Sequence, residues 1–131
     1  MIGIVIVAHG GLAGEYLAAV EHVVGPQSGM RAISVETTDD RDAKTAEIMQ
    51  AANEVDRGGG VAVVTDMFGG SPSNLSLPAC RNADRRLLYG ANLPMLIKLV
   101  KSRDKTLPVA VREALFAARK YTDSQNISVE E

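Results

Sequence analysis

The stretch Ile2-Gly3-Ile4-Val5-Ile6-Val7-Ala8, followed at once by His9-Gly10-Gly11, decides how the chain folds. It is continuously apolar and mostly β-branched, which is typical of a strand buried on both faces in a parallel sheet. The glycines interrupt the strand, and apolar residues then recur at helical spacing: Ala13, Tyr16, Leu17, Val20, Val23 and Val24. A buried strand followed by an amphipathic helix is the repeating unit of α/β folds.

The same alternation continues along the chain. Further strands are predicted over residues 31–36, 61–65 and 86–90, and helices are predicted to start after Asp40 and at Ser71-Pro72, Pro94 and Pro108. The prediction is one three-layer α/β domain over residues 1–131, with a mainly parallel four-stranded sheet flanked by helices. In the tail, which begins at about residue 123, residues 126–129 are expected to form either a short antiparallel edge strand or a loose end.

Composition limits the possible functions. With 131 residues, 46% hydrophobic and 23% charged, the chain can bury a core without disulfides or metals. Its formal net charge of −2 gives no positive surface for nucleic acid. Cys80 is the only cysteine and His9 and His22 are the only histidines, so a four-ligand zinc site is excluded and no metal or cofactor is expected.

The expected location is the cytoplasm. A single cysteine fits a reducing compartment. The apolar run 2–8 is far shorter than the ~20 residues that cross a bilayer, and it lacks the features of a signal peptide. No direct membrane insertion is therefore expected.

His9 is the first candidate for chemistry, because ligands of parallel sheets bind at the carboxyl ends of the strands. Gly10 and Gly11 allow the backbone to approach a bound group closely, and the helix start that follows favours an anion such as phosphate. A neutral imidazole is a competent nucleophile, since its reference pKa is ~6.5. The alternative is that His9 only fills a tight turn between strand and helix.

Asp66 occupies the equivalent end of another predicted strand. If the two strands are neighbours, its carboxylate can accept a hydrogen bond from one ring nitrogen of His9 and leave the lone pair of the other nitrogen free. The same charge would stabilise the ring once a phosphoryl group is attached. The alternative is an aspartate that caps its own loop.

The loop after Asp66 contains a second group of candidates. Gly69 and Gly70 precede Ser71-Pro72 and form a possible backbone nest for an anion. Ser71 could cap the helix, donate to a phosphoryl oxygen, or do both. Side chains at the same edge could contact a partner protein, with core packing as an equal alternative for the apolar ones: Met67, Phe68, Asn92 and Met95.

Three segments together resemble the IIA component of the mannose-type bacterial sugar phosphotransferase system. They are residues 4–10 (Ile-Val-Ile-Val-Ala-His-Gly), residues 65–74 (Thr-Asp-Met-Phe-Gly-Gly-Ser-Pro-Ser-Asn) and residues 90–96 (Gly-Ala-Asn-Leu-Pro-Met-Leu). The resemblance extends from residue 1 to about residue 120. It departs from the pattern of some members at Ala8, where they have a hydroxyl residue, and at Phe68, where they have Trp.

The resemblance implies a phosphotransferase that works through a transient phosphohistidine. His9 matches the phosphorylated histidine, Asp66 the acidic residue that orients it, and Ser71 a serine near the phosphoryl group. The donor would be the phosphocarrier protein HPr and the acceptor a separate IIB component. The resemblance also implies a homodimer.

Alternatives remain open at this point. No Ala/Pro-rich linker or IIB domain follows residue 120, so a stand-alone IIA is expected, and such proteins also act as regulators whose phosphorylation state is read by a target protein. Another possibility is the phosphoryl donor of a dihydroxyacetone kinase, which the Gly-Gly-Ser-Pro stretch fits less well. The last is an α/β binding module in which His9 only contacts a ligand.

Overall fold

The computed structural model describes residues 1–81 and 84–128 and contains a four-stranded, all-parallel sheet with the strand order β2-β1-β3-β4. The strands are β1 (Gly3–His9), β2 (Met30–Val35), β3 (Val61–Thr65) and β4 (Arg85–Leu88). The helices are α1 (Leu12–Val24), α2 (Arg41–Val55), α3 (Ser71–Ser76), α4 (Leu93–Lys101) and α5 (Leu107–Lys120), with a short 3-10 helix at Pro78–Cys80. The predicted α/β fold is confirmed.

Helices cover both faces of the sheet, which explains why β1 is continuously apolar. Ile4 and Ile6 point towards the side covered by α1, α4 and α5. Val5 and Val7 point towards the side covered by α2 and α3. All four side chains are fully buried, so substituting a polar residue at any of them would place that group in one of the two cores.

Local signals in the sequence account for how the helices begin and pack. The carboxylate of Asp40 accepts hydrogen bonds from the backbone N–H groups of Asp42 and Ala43, as predicted for a helix cap worth about 1 kcal/mol. α2 packs so closely on β1 that a Cβ at Gly3 would lie 2.3 Å from the carbonyl oxygen of Val55. Only glycine allows this approach.

The strand order produces a switch point between β1 and β3. From β1 the chain moves outwards to β2, and it then returns to the other side of β1 to form β3 and β4. Crevices at the carboxyl ends of the two strands beside such a switch are the usual ligand sites of open α/β sheets. His9 ends β1 and Asp66 directly follows β3.

Two expectations about individual elements are wrong. Val23 is 53% exposed, because the inner stripe of α1 passes through Val20 and Val24 and residue 23 faces outwards. β4 ends at Leu88 rather than residue 90, since Gly90 adopts a φ of +77° that breaks the strand. Of the two alternatives for the tail, residues 122–128 fit the loose end, since they belong to no strand; Val129 lies outside the described residues.

Candidate functional site

His9 and Asp66 are in direct contact at the carboxyl edge of the sheet. One carboxylate oxygen of Asp66, Oδ2, lies 2.7 Å from Nδ1 of His9 and accepts a second hydrogen bond from the backbone N–H of His9 at 3.0 Å. The other oxygen, Oδ1, accepts from the backbone N–H of Met67 at 3.0 Å. Asp66 therefore does both things considered from sequence: it holds the His9 ring and it caps its own loop.

The electrostatics of this pair favour an ionised carboxylate. Burial raises the pKa of Asp66, whose side chain is only 13% exposed. Hydrogen bonds from the backbone and ring of His9, together with attraction to that ring, outweigh burial and keep the pKa of Asp66 below its ordinary value. A charged acceptor at 2.7 Å from Nδ1 favours the tautomer with the proton on Nδ1.

The lone pair of His9 then lies on Nε2, and the His9 side chain is 50% exposed. Gly70 packs beside this part of the ring: a Cβ at residue 70 would lie 3.1 Å from Cε1 and 3.5 Å from Nε2. Glycine at position 70 therefore leaves one side of Nε2 uncovered. The arrangement orients Nε2 of His9 as a partly exposed nucleophile, while the negative charge of Asp66 lies at Nδ1 of the same ring.

Side chains that sequence analysis did not single out support the glycine loops. The hydroxyl of Ser34 donates to the carbonyl oxygen of Gly10 at 2.7 Å. The backbone N–H of Gly69 donates to Ser73 Oγ at 3.4 Å, and the amide of Asn74 donates to the Gly69 carbonyl at 3.4 Å. Ser73 and Asn74 lie within the segment 65–74 noted above, but their spacing alone gave no sign that they fold back on residue 69.

Tyr16 is another residue near the site that the sequence pattern did not indicate. Its hydroxyl donates to the carbonyl oxygen of Ala91 at 3.0 Å. Burial raises the pKa of Tyr16, and the negative charge of Asp66 raises it further. The sequence pattern places Tyr16 on the apolar stripe of α1, which explains its ring but not its hydroxyl.

The predicted helix cap at Ser71 is wrong. Gly70 occupies the cap position of α3, Ser71 is the first helical residue, and no side chain among the described residues caps this helix. A glycine with an extended backbone can fill the cap position as well as a serine. Ser71 is half-buried and directly follows the glycine that packs on the His9 ring.

The four side chains predicted to contact a partner separate into two pairs. Met67 and Phe68 are 57% and 64% exposed. Met95 is 1% exposed and packs in the core beneath α1, α4 and α5, so its assignment to a partner surface is wrong. Asn92 is half-buried, and its side chain is engaged within the protein: its oxygen accepts from the Met95 N–H at 2.9 Å, and its amide donates to the Ala118 carbonyl at 3.0 Å.

Tyr89 extends the exposed apolar surface next to this loop. It is 52% exposed, and its ring centroid lies 4.7 Å from that of Phe68 at an interplanar angle of 46°. Sequence analysis assigned Tyr89 to a strand and so gave it no role. Leu12, the first residue of α1, is 39% exposed and also lies close in sequence to His9.

Within residues 1–81 and 84–128, no three side chains of the types His, Cys, Asp and Glu come together in a way that could hold a metal ion. No helix in the same ranges combines the length and the apolar character needed to cross a membrane.

Comparison by sequence matches residues 3–116 to the family model described as PTS system fructose IIA component, where PTS is the phosphotransferase system. The match covers most of the chain and includes both His9 and Asp66. A search of curated protein sequences finds no match.

Solved structures with a similar fold include three PTS proteins. EIIA from Streptococcus agalactiae is 25% identical with a TM-score of 0.84, covering 95% of this chain and 97% of that one. The IIA protein associated with the fucose utilization operon of Streptococcus pneumoniae is 24% identical with a TM-score of 0.84, covering 94% and 92%. The mannose/sorbose specific IIA subunit from Enterococcus faecalis is 20% identical with a TM-score of 0.85, covering 96% of each chain. The last two likenesses, at these identities, concern the fold alone.

Proposed function

The chain belongs to the family of IIA components of the sugar phosphotransferase system, and from this premise we propose that His9 is the residue that carries the phosphoryl group. In this proposal the protein accepts the group from a phosphohistidine of HPr and passes it to a separate IIB component during sugar uptake. The observation that carries the proposal is the 2.7 Å contact between Nδ1 of His9 and Oδ2 of Asp66, because it leaves Nε2 as the nucleophile.

The transfer requires little besides positioning and charge stabilisation. The lone pair on Nε2 attacks the phosphorus of the donor, forming a new N–P bond while the N–P bond to the donor ring breaks and its electron pair returns to that ring. His9 keeps its proton on Nδ1 and therefore carries positive charge on the ring. The ionised Asp66 offsets this charge, and the same steps in reverse pass the group to the acceptor.

Backbone groups beside His9 are proposed to hold the phosphoryl oxygens. Gly11 is the cap residue of α1 and lies at the positive end of that helix. Gly69 and Gly70 lie in the loop that follows β3, and Ser71, the next residue, is proposed as a side-chain donor. The N–H of Gly10 already donates to the Val35 carbonyl at 3.0 Å, and that of Gly69 to Ser73 Oγ at 3.4 Å, so the N–H groups of Gly11 and Gly70 are better suited.

HPr must contact the surface around His9 in order to bring its own histidine close to that of this protein. The exposed apolar side chains around the site are suited to this contact, and they form what we call the docking rim: Leu12, Met67, Phe68 and Tyr89. Exposed aromatic residues next to a reactive group are common anchors of protein interfaces. Met95 and Asn92 have no part in the rim for the reasons given above.

Self-association belongs to the same proposal. β4 is an edge strand, and a shallow groove of about 640 Å³ runs beside it, lined by residues of β4 and α5 such as Arg86, Val111 and Leu115. An uncovered sheet edge is a ready template for another chain. We expect light scattering to give twice the monomer mass of 13.9 kDa, whereas a monomer at all micromolar concentrations would refute the dimer.

The decisive experiment is phosphorylation by phosphoenolpyruvate, the first enzyme of the system and HPr. We expect wild type and His22→Gln to be labelled equally and His9→Gln to remain unlabelled while still folded. The label should be acid-labile and base-stable, as a P–N bond is. Undiminished labelling of His9→Gln would overturn the assignment.

A second step tests the acceptor. The phosphorylated protein is mixed with a candidate IIB component, and loss of label from His9 with gain on IIB supports the transport role. If the label stays on His9 and binding to another protein changes with it, the regulatory alternative holds instead.

A further inference from the structure

The hydroxyl of Tyr16 links the two halves of the site through backbone atoms. Tyr16 lies in α1, the helix that begins three residues after His9, and its hydroxyl donates to the carbonyl oxygen of Ala91 at 3.0 Å. The backbone N–H of Ala91 in turn donates to the carbonyl oxygen of Thr65 at 3.1 Å. Thr65 directly precedes Asp66, so two hydrogen bonds connect the helix after His9 to the strand end before Asp66.

We infer that Tyr16 is a positioning residue, which holds the strand end bearing Asp66 in place against the helix that follows His9. This inference rests on the proposed function, because it assigns Tyr16 a part in phosphoryl transfer at His9. Tyr16 acts through Ala91 and Thr65 and is not itself a group that touches the phosphoryl oxygens.

Packing in the core does not explain why residue 16 carries a hydroxyl group. The ring of Tyr16 is partly buried against the core beneath α1, where phenylalanine would serve equally well. Replacing the hydroxyl by hydrogen would leave the partly buried carbonyl of Ala91 without this donor. Burial and the charge of Asp66 both raise the pKa of Tyr16, so the hydroxyl keeps its proton and remains a donor throughout the neutral range.

The position of this link matters because phosphoryl transfer depends strongly on geometry. A misplacement of ~1 Å at a reacting group can slow a reaction by about 10²-fold. Ala91 is also fixed on its other side, since Asn92 caps α4 and bonds to the end of α5. Tyr16 thus joins this firmly held loop to α1 through a hydrogen bond.

The test compares wild type, Tyr16→Phe and the control Tyr121→Phe in phosphorylation by HPr over a range of HPr concentrations. Tyr121 is 67% exposed at the end of α5, and its hydroxyl takes part in none of these bonds. Rates are expressed per folded molecule, so a loss of stability alone does not count. We expect Tyr16→Phe to lower the maximal rate about 10-fold with an unchanged half-saturating HPr concentration, and Tyr121→Phe to match wild type.

A wild-type maximal rate in Tyr16→Phe would overturn the inference, and so would a defect that appears only in the half-saturating HPr concentration, because that would make Tyr16 a docking residue. A second measurement needs no HPr: NMR of the proton on Nδ1 of His9, which we expect to exchange faster with water in Tyr16→Phe. Unchanged exchange also overturns the inference. If wild type itself is not phosphorylated, the proposed function fails, and the NMR result still decides whether Tyr16 positions the pair.

Discussion

Val7 lies opposite Thr65 in the parallel pairing of β1 with β3. β1 continues for two residues to His9, and Asp66 directly follows Thr65. The register of two buried strands therefore brings the imidazole and the carboxylate together. Because a slip by one residue would turn every side chain of a strand to the other face, the packing of the two cores maintains the geometry of the site.

Replacing Asp66 by Asn should slow phosphorylation of His9 by about 10²–10³-fold, the range seen when one electrostatic stabiliser is lost. The amide carries no charge, and its NH2 group can donate to Nδ1, which would favour the tautomer with the proton on Nε2. HPr-dependent labelling measures the effect, with Asp123→Asn in the exposed tail as the control. If Asp66→Asn is phosphorylated as fast as Asp123→Asn, the contact between His9 and Asp66 does not assist transfer.

The contribution of Asp66 to stability should depend on pH in a defined direction. Its pKa is lowered in the folded protein, whereas the unfolded chain has the ordinary value of ~3.9. A lowered folded pKa gives stabilisation that is fully present above the unfolded value and is lost as the pH falls through the folded value. We therefore expect the difference in unfolding free energy between wild type and Asp66→Asn to shrink as the pH falls below about 4.

Urea unfolding of both proteins at a series of pH values measures this difference. Other carboxylates titrate in the same range, among them Glu113, whose pKa is lowered by hydrogen bonds from Lys105 and Ser102. Their effects are common to both proteins and cancel in the difference. A difference that grows as the pH falls would contradict the lowered pKa of Asp66.

Replacing Gly70 by Ala should slow transfer without unfolding the protein. The backbone at residue 70 has a φ of −84°, which alanine adopts, but the new Cβ would lie 3.1 Å from Cε1 of His9 and force the ring to move. We expect about a 10-fold slower phosphorylation per folded molecule, as for a sub-ångström displacement of a reacting group.

Gly14→Ala is the matched control, because among the described residues no atom beyond its chain neighbours and the backbone of its own helix lies within 4 Å of a Cβ at that position. It should leave the rate unchanged and raise stability by roughly 0.5–1 kcal/mol. Equal rates in Gly70→Ala and Gly14→Ala would mean that the His9 ring tolerates the contact.

Much of this fold could be predicted from sequence, because β1 and β3 are apolar up to their last residues, and only a sheet covered on both faces buries such strands. The meeting of His9 with Asp66 required one fact that periodicity does not contain, namely that β1 and β3 are neighbours. The errors arise where one residue satisfies two patterns. Met95 follows a loop at the site edge, but it is also the first buried position of α4, and burial decides its place.

Hydrogen bonds between distant segments were the other information that the sequence lacked. Tyr16 and Ala91 are 75 residues apart, and a tyrosine on an apolar stripe looks like any other core aromatic residue. Ser34 likewise reaches Gly10 only because β2 lies beside β1. Such contacts depend on strand order and register together, so they become visible only when the chain is folded.

Replacing Phe68 by Glu should weaken the use of HPr while sparing both the fold and the chemistry. Phe68 is 64% exposed in the docking rim, and its ring lies against that of Tyr89. A charged side chain at this position would have to lose hydration against an apolar partner, but it would disturb little of the core. We expect the half-saturating HPr concentration to rise about 10-fold, equivalent to ~1.4 kcal/mol of binding, with the maximal rate unchanged. Phe116→Glu is the matched control, since Phe116 is 69% exposed but lies on α5, outside the site loops. If both variants raise the HPr requirement equally, net charge rather than the docking rim governs the encounter; if neither does, HPr approaches His9 across another surface.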